Sequence, residues 1–373
     1  MSIFYIETQM KELREQLSHS KRIGCFFGAG TSMAMGLPGI VSLTEQAIEK
    51  LEGDDKVKVE SLLDHIKSHS YNGSNSTIED LLNYIRMIRQ VTYEKEEITH
   101  LDINGKIAVK LDRKICKAIH QILLNKEDEI SATPTGLLAM QKFIAWYNWS
   151  GQDFSREIFT LNYDLLLFWV LMKFNDLEEQ NKFIGDKDCR LKVSDGFGNS
   201  LYGNNDEYVV YKNNDSNFYQ TIHYLHGALH IFDKESEIIK NTYSRTERKL
   251  RQQTLDNLEK SIYPIFISEG TANNKKARII HNSYLNNSFK TLRTLKNNDS
   301  KFKKENSIII FGTTLKSNDN HIIEAIVESG VKNIFIGISS LDKKSELLVF
   351  EEYLANKKIT LQYYDYKTLK VWR

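Results

Sequence analysis

Cysteine is scarce: Cys25, Cys116 and Cys189 are the only three in 373 residues, and no two form a C-x-x-C pair. Such an odd, widely spaced set argues against a disulfide framework and against a thiolate zinc site. Proline is as rare, at Pro38, Pro134 and Pro264, so long uninterrupted elements are expected and no Pro-rich linker divides the chain. Charge of one sign is missing too. Fifty lysines and arginines meet 49 aspartates and glutamates, a formal net charge of +1, which gives no overall electrostatic footprint for nucleic acid or a membrane surface. No apolar run approaches the roughly 18–20 residues that cross a bilayer. Met1 to Lys21 is charged and lacks an apolar h-region, so no signal peptide is expected and the cytoplasm is the expected compartment.

What is present is ordinary globular composition, 41% hydrophobic and 27% charged, enough to bury a large core. A helix is expected over residues 3–19, and the apolar run Ile23–Phe27 reads as a buried strand. Gly28–Gly39 then packs four glycines and Pro38 into twelve residues, a loop demanding unusual backbone freedom. Residues 53–70 are loosely helical. Ser76-Thr77-Ile78-Glu79 has the spacing of a capping box, and Ile78, Leu81, Leu82, Ile85 and Ile88 follow at helical intervals. Helices fit 106–125 and 135–147, and Glu157–Leu161 reads as a strand before the apolar, helical 165–173. Residues 174–220 look like hairpins and loops, and 242–262 like a basic, exposed helix. In the last third the strands Ser307–Phe311, Asn333–Ile338 and Ile359–Tyr364 alternate with helices over Asn320–Glu328 and Lys343–Ala355.

Strands alternating with helices build βαβ units and a parallel sheet. The expected fold class is therefore α/β, a Rossmann-like, doubly wound, mostly parallel sheet with helical and hairpin insertions, all in a single domain over 1–373. Core strands and motifs fall near 20–45, 156–170, 222–232, 263–271 and 307–364. The insertions are at about 53–130, 174–220 and 232–262.

Several segments carry residues suited to chemistry. Gly28-Ala29-Gly30-Thr31-Ser32 leaves a strand and enters a helix, where small residues let backbone N–H groups approach a pyrophosphate. Met33 stands where a Rossmann fingerprint needs its third glycine, so a glycine turn without a ligand is the competing reading. Asn162 and Asp164 lie just past a strand's carboxyl end. The amide suits a ribose hydroxyl or a water; Asp164 can equally cap the next helix. His223, His226 and His230 suggest a metal site only if a helix holds them, and Gly227 disfavours that helix. His226 is singled out because the neighbouring glycine suggests a close approach to a ligand. Gly312-Thr313-Thr314 repeats the strand–turn–helix pattern, with Asp319 as N-cap of the helix or a ribose contact. Ser268-Glu269-Gly270-Thr271 is a third such loop.

Four of these segments, in this order, resemble the sirtuins. Gly28-Ala29-Gly30-Thr31-Ser32 with Gly36-Leu37-Pro38 is similar to the G-A-G-x-S…G-I-P loop, and Thr160-Leu161-Asn162-Tyr163-Asp164 to T-x-N-x-D. His226-Gly227 resembles the catalytic H-G pair, and Gly312-Thr313-Thr314 the later G-T-S. Two departures matter: the cysteine pairs of the deacylases are missing, and Gly39-Ile40-Val41 stands where they carry aspartate, phenylalanine and arginine. Both are shared with bacterial sirtuin-like proteins of anti-phage systems, which the stretches Tyr224–His230 and Ile267–Thr271 also resemble. The resemblance implies an NAD⁺ hydrolase that releases nicotinamide and ADP-ribose, with Asn162 and His226 catalytic. It places NAD⁺, as substrate, on Gly28, Ala29, Gly30, Thr31, Ser32, Asp164, Gly312, Thr313 and Thr314, with no metal. It further implies a regulatory partner, either a HerA-type ATPase or a nucleotide-sensing subunit, and allows a homo-oligomer. A protein deacylase or ADP-ribosyltransferase, and a non-catalytic nucleotide sensor, remain alternatives.

Overall fold

The computed structural model describes residues 20–69, 76–92, 99–131, 155–170, 194–197, 208–212, 220–234, 237–241, 250–260, 262–267, 271–295, 305–315, 319–338 and 347–366. The helices expected over 3–19 and 135–147, and residues 268–270 of the third loop, lie outside these. The strands are β1 (Ser20–Phe27), β2 (Ser155–Thr160), β3 (Tyr208–Val210), β4 (Ile222–Tyr224), β5 (Gly227–Lys234), β6 (Glu237–Asn241), β7 (Pro264–Phe266), β8 (Glu305–Phe311), β9 (Asn333–Ile338) and β10 (Thr360–Asp365). The helices are α1 (Ala29–Met33), α2 (Ile40–Glu49), α3 (Gly53–His69), α4 (Ile78–Thr92), α5 (Gly105–Ser131), α6 (Leu250–Glu259), α7 (Ala272–His281), α8 (Ser283–Arg293), α9 (Asn320–Glu328) and α10 (Leu348–Ala355).

Six strands form one sheet in the order β10-β9-β8-β1-β2-β4, and every neighbouring pair is parallel. Numbered within that sheet alone, the order is 3-2-1-4-5-6, the arrangement of dinucleotide-binding folds. The central strands are continuous apolar runs, with Ile23, Cys25, Phe26 and Phe27 of β1 and Ile308, Ile309 and Ile310 of β8 all buried. A strand covered on both faces needs that composition, whereas a half-exposed one alternates. Helices cover this sheet. The expected stripe of α4 is buried at Ile78, Leu81, Leu82, Ile85 and Ile88.

The capping box at that helix start is shifted by one residue. Asp80 Oδ2 accepts from the Thr77 N–H at 2.8 Å and the Thr77 hydroxyl at 3.1 Å. Thr77 is thus the cap, and Glu79 is left free for another partner.

A second, antiparallel sheet has the order β3-β6-β5-β7. Its strand β5 follows directly on β4 of the parallel sheet: Leu225 and His226 form the turn and Gly227 starts β5. Gly227 has φ +87, and a Cβ there would lie 2.0 Å from the Ile265 carbonyl oxygen. The glycine is demanded by the backbone of β7. This corrects the expectation that it marks a ligand's approach.

The basic helix expected to be exposed over 242–262 is also corrected where it is described. α6 buries Thr254 and Leu258, and the Thr254 hydroxyl donates to Leu229 O at 3.3 Å. Two helices between β7 and β8 were not foreseen. α7 is capped by Thr271, whose side chain accepts from Asn274 N–H, and α8 by Asn282, which accepts from Leu285 N–H. Among the described residues no helix is long and apolar enough to cross a membrane.

Candidate functional site

Strand register places the sequence motifs on one line. Phe27 pairs with Thr160 on one side and Phe311 on the other, and Thr160 pairs with Tyr224. With strands about 4.8 Å apart, Phe311, Phe27, Thr160 and Tyr224 form a row across β8, β1, β2 and β4. Each motif leaves the sheet just past that row, at Gly312, Gly28, Asn162 and His226. The ladder itself runs one residue further: Gly28 N–H donates to Phe311 O at 2.8 Å, Leu161 N–H to Phe27 O at 3.1 Å, and Leu225 N–H to Thr160 O at 2.9 Å. This is the carboxyl edge of the sheet, and β1/β8 is where the strand order reverses. Open α/β sheets bind their ligands in that place.

The two glycine loops are packed against each other. A Cβ on Gly28 would sit 2.3 Å from Thr313 Cβ, and one on Gly312, whose φ is +65, would sit 2.4 Å from Thr31 N. Gly30 N–H donates to Gly312 O at 2.7 Å and Thr31 N–H to Gly28 O at 3.0 Å. Three backbone donors of the 28–32 loop, on Gly28, Gly30 and Thr31, are therefore used internally. Among the described residues, Ala29 N–H makes no hydrogen bond. Thr313 Oγ1 accepts from Leu315 N–H at 3.1 Å, and Thr314 is partly exposed.

Asn162 braces the first loop. Its Nδ2 lies 3.0 Å from Gly28 O, 3.0 Å from Thr31 Oγ1 and 2.9 Å from Ser32 Oγ. Gly28 O can only accept, so the amide nitrogen faces the loop and the amide oxygen is the atom left to meet a ligand. Asp164 is buried. It accepts from the Ser32 hydroxyl through Oδ2 and from Leu166 N–H at 3.0 Å through Oδ1. The second bond caps the helical turn that follows, the structural role the sequence left open. Burial pushes the Asp164 carboxyl above its usual range, against the hydrogen bonds from Ser32 and Leu166.

His226 is buried, and its Nε2 lies 3.3 Å from Nε2 of His321 in α9. The ring centroids are 5.5 Å apart and the planes differ by 17°. The two nitrogens thus lie close to the line joining the rings, the head-on geometry of an N–H···N hydrogen bond. Burial holds the His226 imidazole well below its ordinary pKa, helped by His321 and by the Lys275 ammonium. His321 is pushed down to about 3 by burial, then by Lys275 and Lys276. Both rings are neutral near pH 7.

Around this pair lies a buried ionic group that sequence reasoning missed. Lys275 of α7, with a side chain 2% exposed, is 3.4 Å from Glu79 Oε2 and 3.7 Å from Asp319 Oδ1. Glu79 is raised to about 7, chiefly by burial, which outweighs the opposing pull of Lys275. Asp319 is raised by burial as well. It occupies the N-cap position of α9 without making a side-chain cap bond. The signal was present in the order Asp319-Asn320-His321 just past a glycine turn, but nothing local joins it to His226 or Lys275.

Single ligand atoms of His226, Asp319 and His321 lie within 4.8 Å of one another, a donor set that suits a divalent transition metal. Two observations weigh against an ion there. The imidazole nitrogens oppose each other rather than converging on a point, and the Lys275 ammonium already stands beside Asp319.

The other two histidines have structural surroundings. His223 Nε2 lies 3.0 Å from Glu157 Oε2 in the sheet interior, and His230 packs on Phe168 and Tyr224. A cavity of about 520 Å³ lies elsewhere, with Arg86, Asp112, His120, Phe266, Arg278 and His281 in its wall. None of the residues proposed as catalytic or NAD⁺-binding lines it, although Ile267, in its wall, donates its N–H to His226 O at 2.9 Å.

Fold and edge together define a Rossmann-like α/β protein whose polar residues gather at the carboxyl ends of the central strands. The chain belongs to the family described as a domain of unknown function, DUF4917, whose model matches residues 54–372. No curated protein matches it.

Proposed function

We propose that the protein is an NAD⁺ glycohydrolase of sirtuin-like type, cleaving the nicotinamide–ribose bond to give nicotinamide and ADP-ribose. The observation that carries the reading is the row Phe311–Phe27–Thr160–Tyr224, which sets both glycine loops, Asn162 and His226 at one edge of a 3-2-1-4-5-6 sheet. The dinucleotide lies along that edge, against Gly28–Ser32 and Gly312–Thr314. The bond from ribose C1′ to the pyridinium nitrogen breaks with its electron pair going to nitrogen, which neutralises the ring. Water oxygen then bonds to the oxocarbenium-like C1′, and its proton passes to His226. Asn162 Oδ1 holds the ribose hydroxyl or the water. The resemblance extends the proposal to NAD⁺ depletion in anti-phage defence, gated by a HerA-type ATPase or a nucleotide-sensing subunit.

The test is chromatography of NAD⁺ incubated with the protein, alone and with the products of neighbouring genes. Nicotinamide and ADP-ribose should appear, and Asn162→Ala or His226→Ala should lower the rate about 10²–10⁴-fold. Full turnover in either variant sinks the assignment of that residue. A second reading, a non-catalytic nucleotide sensor, is favoured by the internal use of the Gly28, Gly30 and Thr31 N–H groups. Tight ADP-ribose binding without turnover under any activation would decide for it.

A further inference from the structure

We infer that His65, His69 and His100 form a binding site for a divalent transition metal, with zinc as the reference ion, using none of the residues of the proposed hydrolysis. Scarce cysteine excludes thiolate ligation but leaves an all-imidazole site open. His65 and His69 stand at the C-terminal end of α3, and their spacing of four puts both on one helix face. Their ring centroids are 4.1 Å apart. His100 comes from a different element, its ring edge-on to His65 at 5.6 Å. A tight turn presents it. His100 and Ile103 exchange two backbone hydrogen bonds at 3.0 Å, Leu101 and Asp102 have φ +51 and +58, and Ile103 is buried. Two consecutive left-handed residues, neither of them glycine, are an uncommon backbone; here they hold His100 beside α3.

The hydrogen bonds show which nitrogens are available. His69 Nδ1 lies 2.8 Å from the His65 carbonyl oxygen, an atom that only accepts, so Nδ1 carries the proton and Nε2 is bare. A metal-bound histidine characteristically donates its other ring N–H in this way. Among the described residues, neither ring nitrogen of His65 makes a hydrogen bond. The Tyr84 hydroxyl meets His100 Nε2 at 2.8 Å, which leaves Nδ1 for an ion. A hydroxyl accepts as well as it donates, so Tyr84 then takes the Nε2–H. Partial burial, then the neighbouring His69 and His100, hold the His65 imidazole below its ordinary range, in the neutral form that binds a metal.

Three imidazoles suit zinc, copper or nickel rather than calcium or magnesium, and three protein ligands leave a fourth position for water. Among the described residues only His226, Asp319 and His321 bring three ligand atoms within 4.8 Å of one another, so His100 must turn inward about its side-chain bonds. It is exposed, and exposed rings make such rotations in nanoseconds or less. His226 and His321, by contrast, are packed in place. The ion ties the end of α3 to the 100–103 turn, which meets α4 through Tyr84.

The inference does not depend on NAD⁺ cleavage. Its test is calorimetric titration of the chelator-treated full chain with zinc chloride, with calcium chloride as the hard-cation control. Zinc should bind one per chain and calcium should not. His65→Asn, His69→Asn and His100→Asn, all at side chains that reach solvent, should each weaken zinc binding at least about 10-fold, the loss that removing even an outer partner of a metal ligand brings. His321→Asn should leave zinc binding as it is, and zinc-edge X-ray absorption should count three imidazoles. Absence of zinc binding at about micromolar concentration overturns the inference. So does binding indifferent to any one of the three substitutions, or binding lost in His321→Asn and kept in His69→Asn.

Discussion

The carboxyl edge of the parallel sheet contains two polar neighbourhoods built on opposite terms. Around the first glycine loop, Asn162 Nδ2 meets three acceptors, both Asp164 oxygens accept bonds, and the Gly28, Gly30 and Thr31 N–H groups are all engaged. Around His226, by contrast, His321 Nδ1 and Asp319 Oδ1 are buried without hydrogen bonds. There an ammonium and two carboxyl groups share a confined space. A saturated network rigidifies; an under-paired one keeps capacity to bind or to move a proton, at a cost in stability. Under the proposed function, the first neighbourhood serves as the scaffold of the site and the second as its reactive part.

That contrast can be broken by mutation. The largest effect is expected in the scaffold from Gly312→Ala, because φ +65 and a Cβ 2.4 Å from Thr31 N combine strain with a clash. Denaturant unfolding should show a loss of about 4 kcal/mol or more. Next is Lys275→Met, which strands Glu79 and Asp319 without their cation and should cost about 3 kcal/mol at pH 8. The loss should shrink at pH 5, where Glu79, raised to about 7, is neutral; a pH-independent loss would mean Lys275 acts by packing. Asn162→Ala should cost about 2 kcal/mol through lost hydrogen bonds, while His226→Ala should cost clearly less for a comparable loss of activity. Equal destabilisation by the two would erase the distinction between scaffold and reactive group.

The smallest effect sharpens the electrostatics. Glu79 is raised from 4.5 to about 7, so folding favours its neutral form. The stability it contributes is complete below pH 4.5 and is lost as pH rises through about 7. Solvent reaches 28% of the side chain, which trims the swing to about 1–2 kcal/mol. Glu79→Gln should flatten the stability profile across that window. A profile unchanged by the substitution would show that Glu79 is ionised throughout.

Much of the fold was legible because burial on both faces of a parallel strand leaves continuous apolar runs. The strands at Ile23–Phe27 and Ser307–Phe311, and the helix at Asn320–Glu328, were read nearly as observed. β5 was covered only loosely, by the core segment near 222–232, because its start, Gly227-Ala-Leu-His, mixes a glycine and a histidine into a strand that turns from one sheet to the other. α7 and α8 escaped because Ala272–Arg293 is rich in asparagine and lysine, and their caps, Thr271 and Asn282, are visible only once the helices are known. Within the site, the motifs' positions were legible and their contacts were not. The glycine after His226 answers to Ile265, and Glu79 misses its local capping role because Asp80 takes it.

By itself the sequence determined where the chain must turn and which segments must be buried, since glycine freedom and apolar periodicity are properties of neighbouring residues. The tertiary structure alone decided what each polar side chain faces. His226 meets a ring 95 positions away, and Lys275 meets a carboxylate on a helix 196 positions earlier. Pairings of that kind depend on how helices cross the end of a sheet, and no spacing along the chain encodes them.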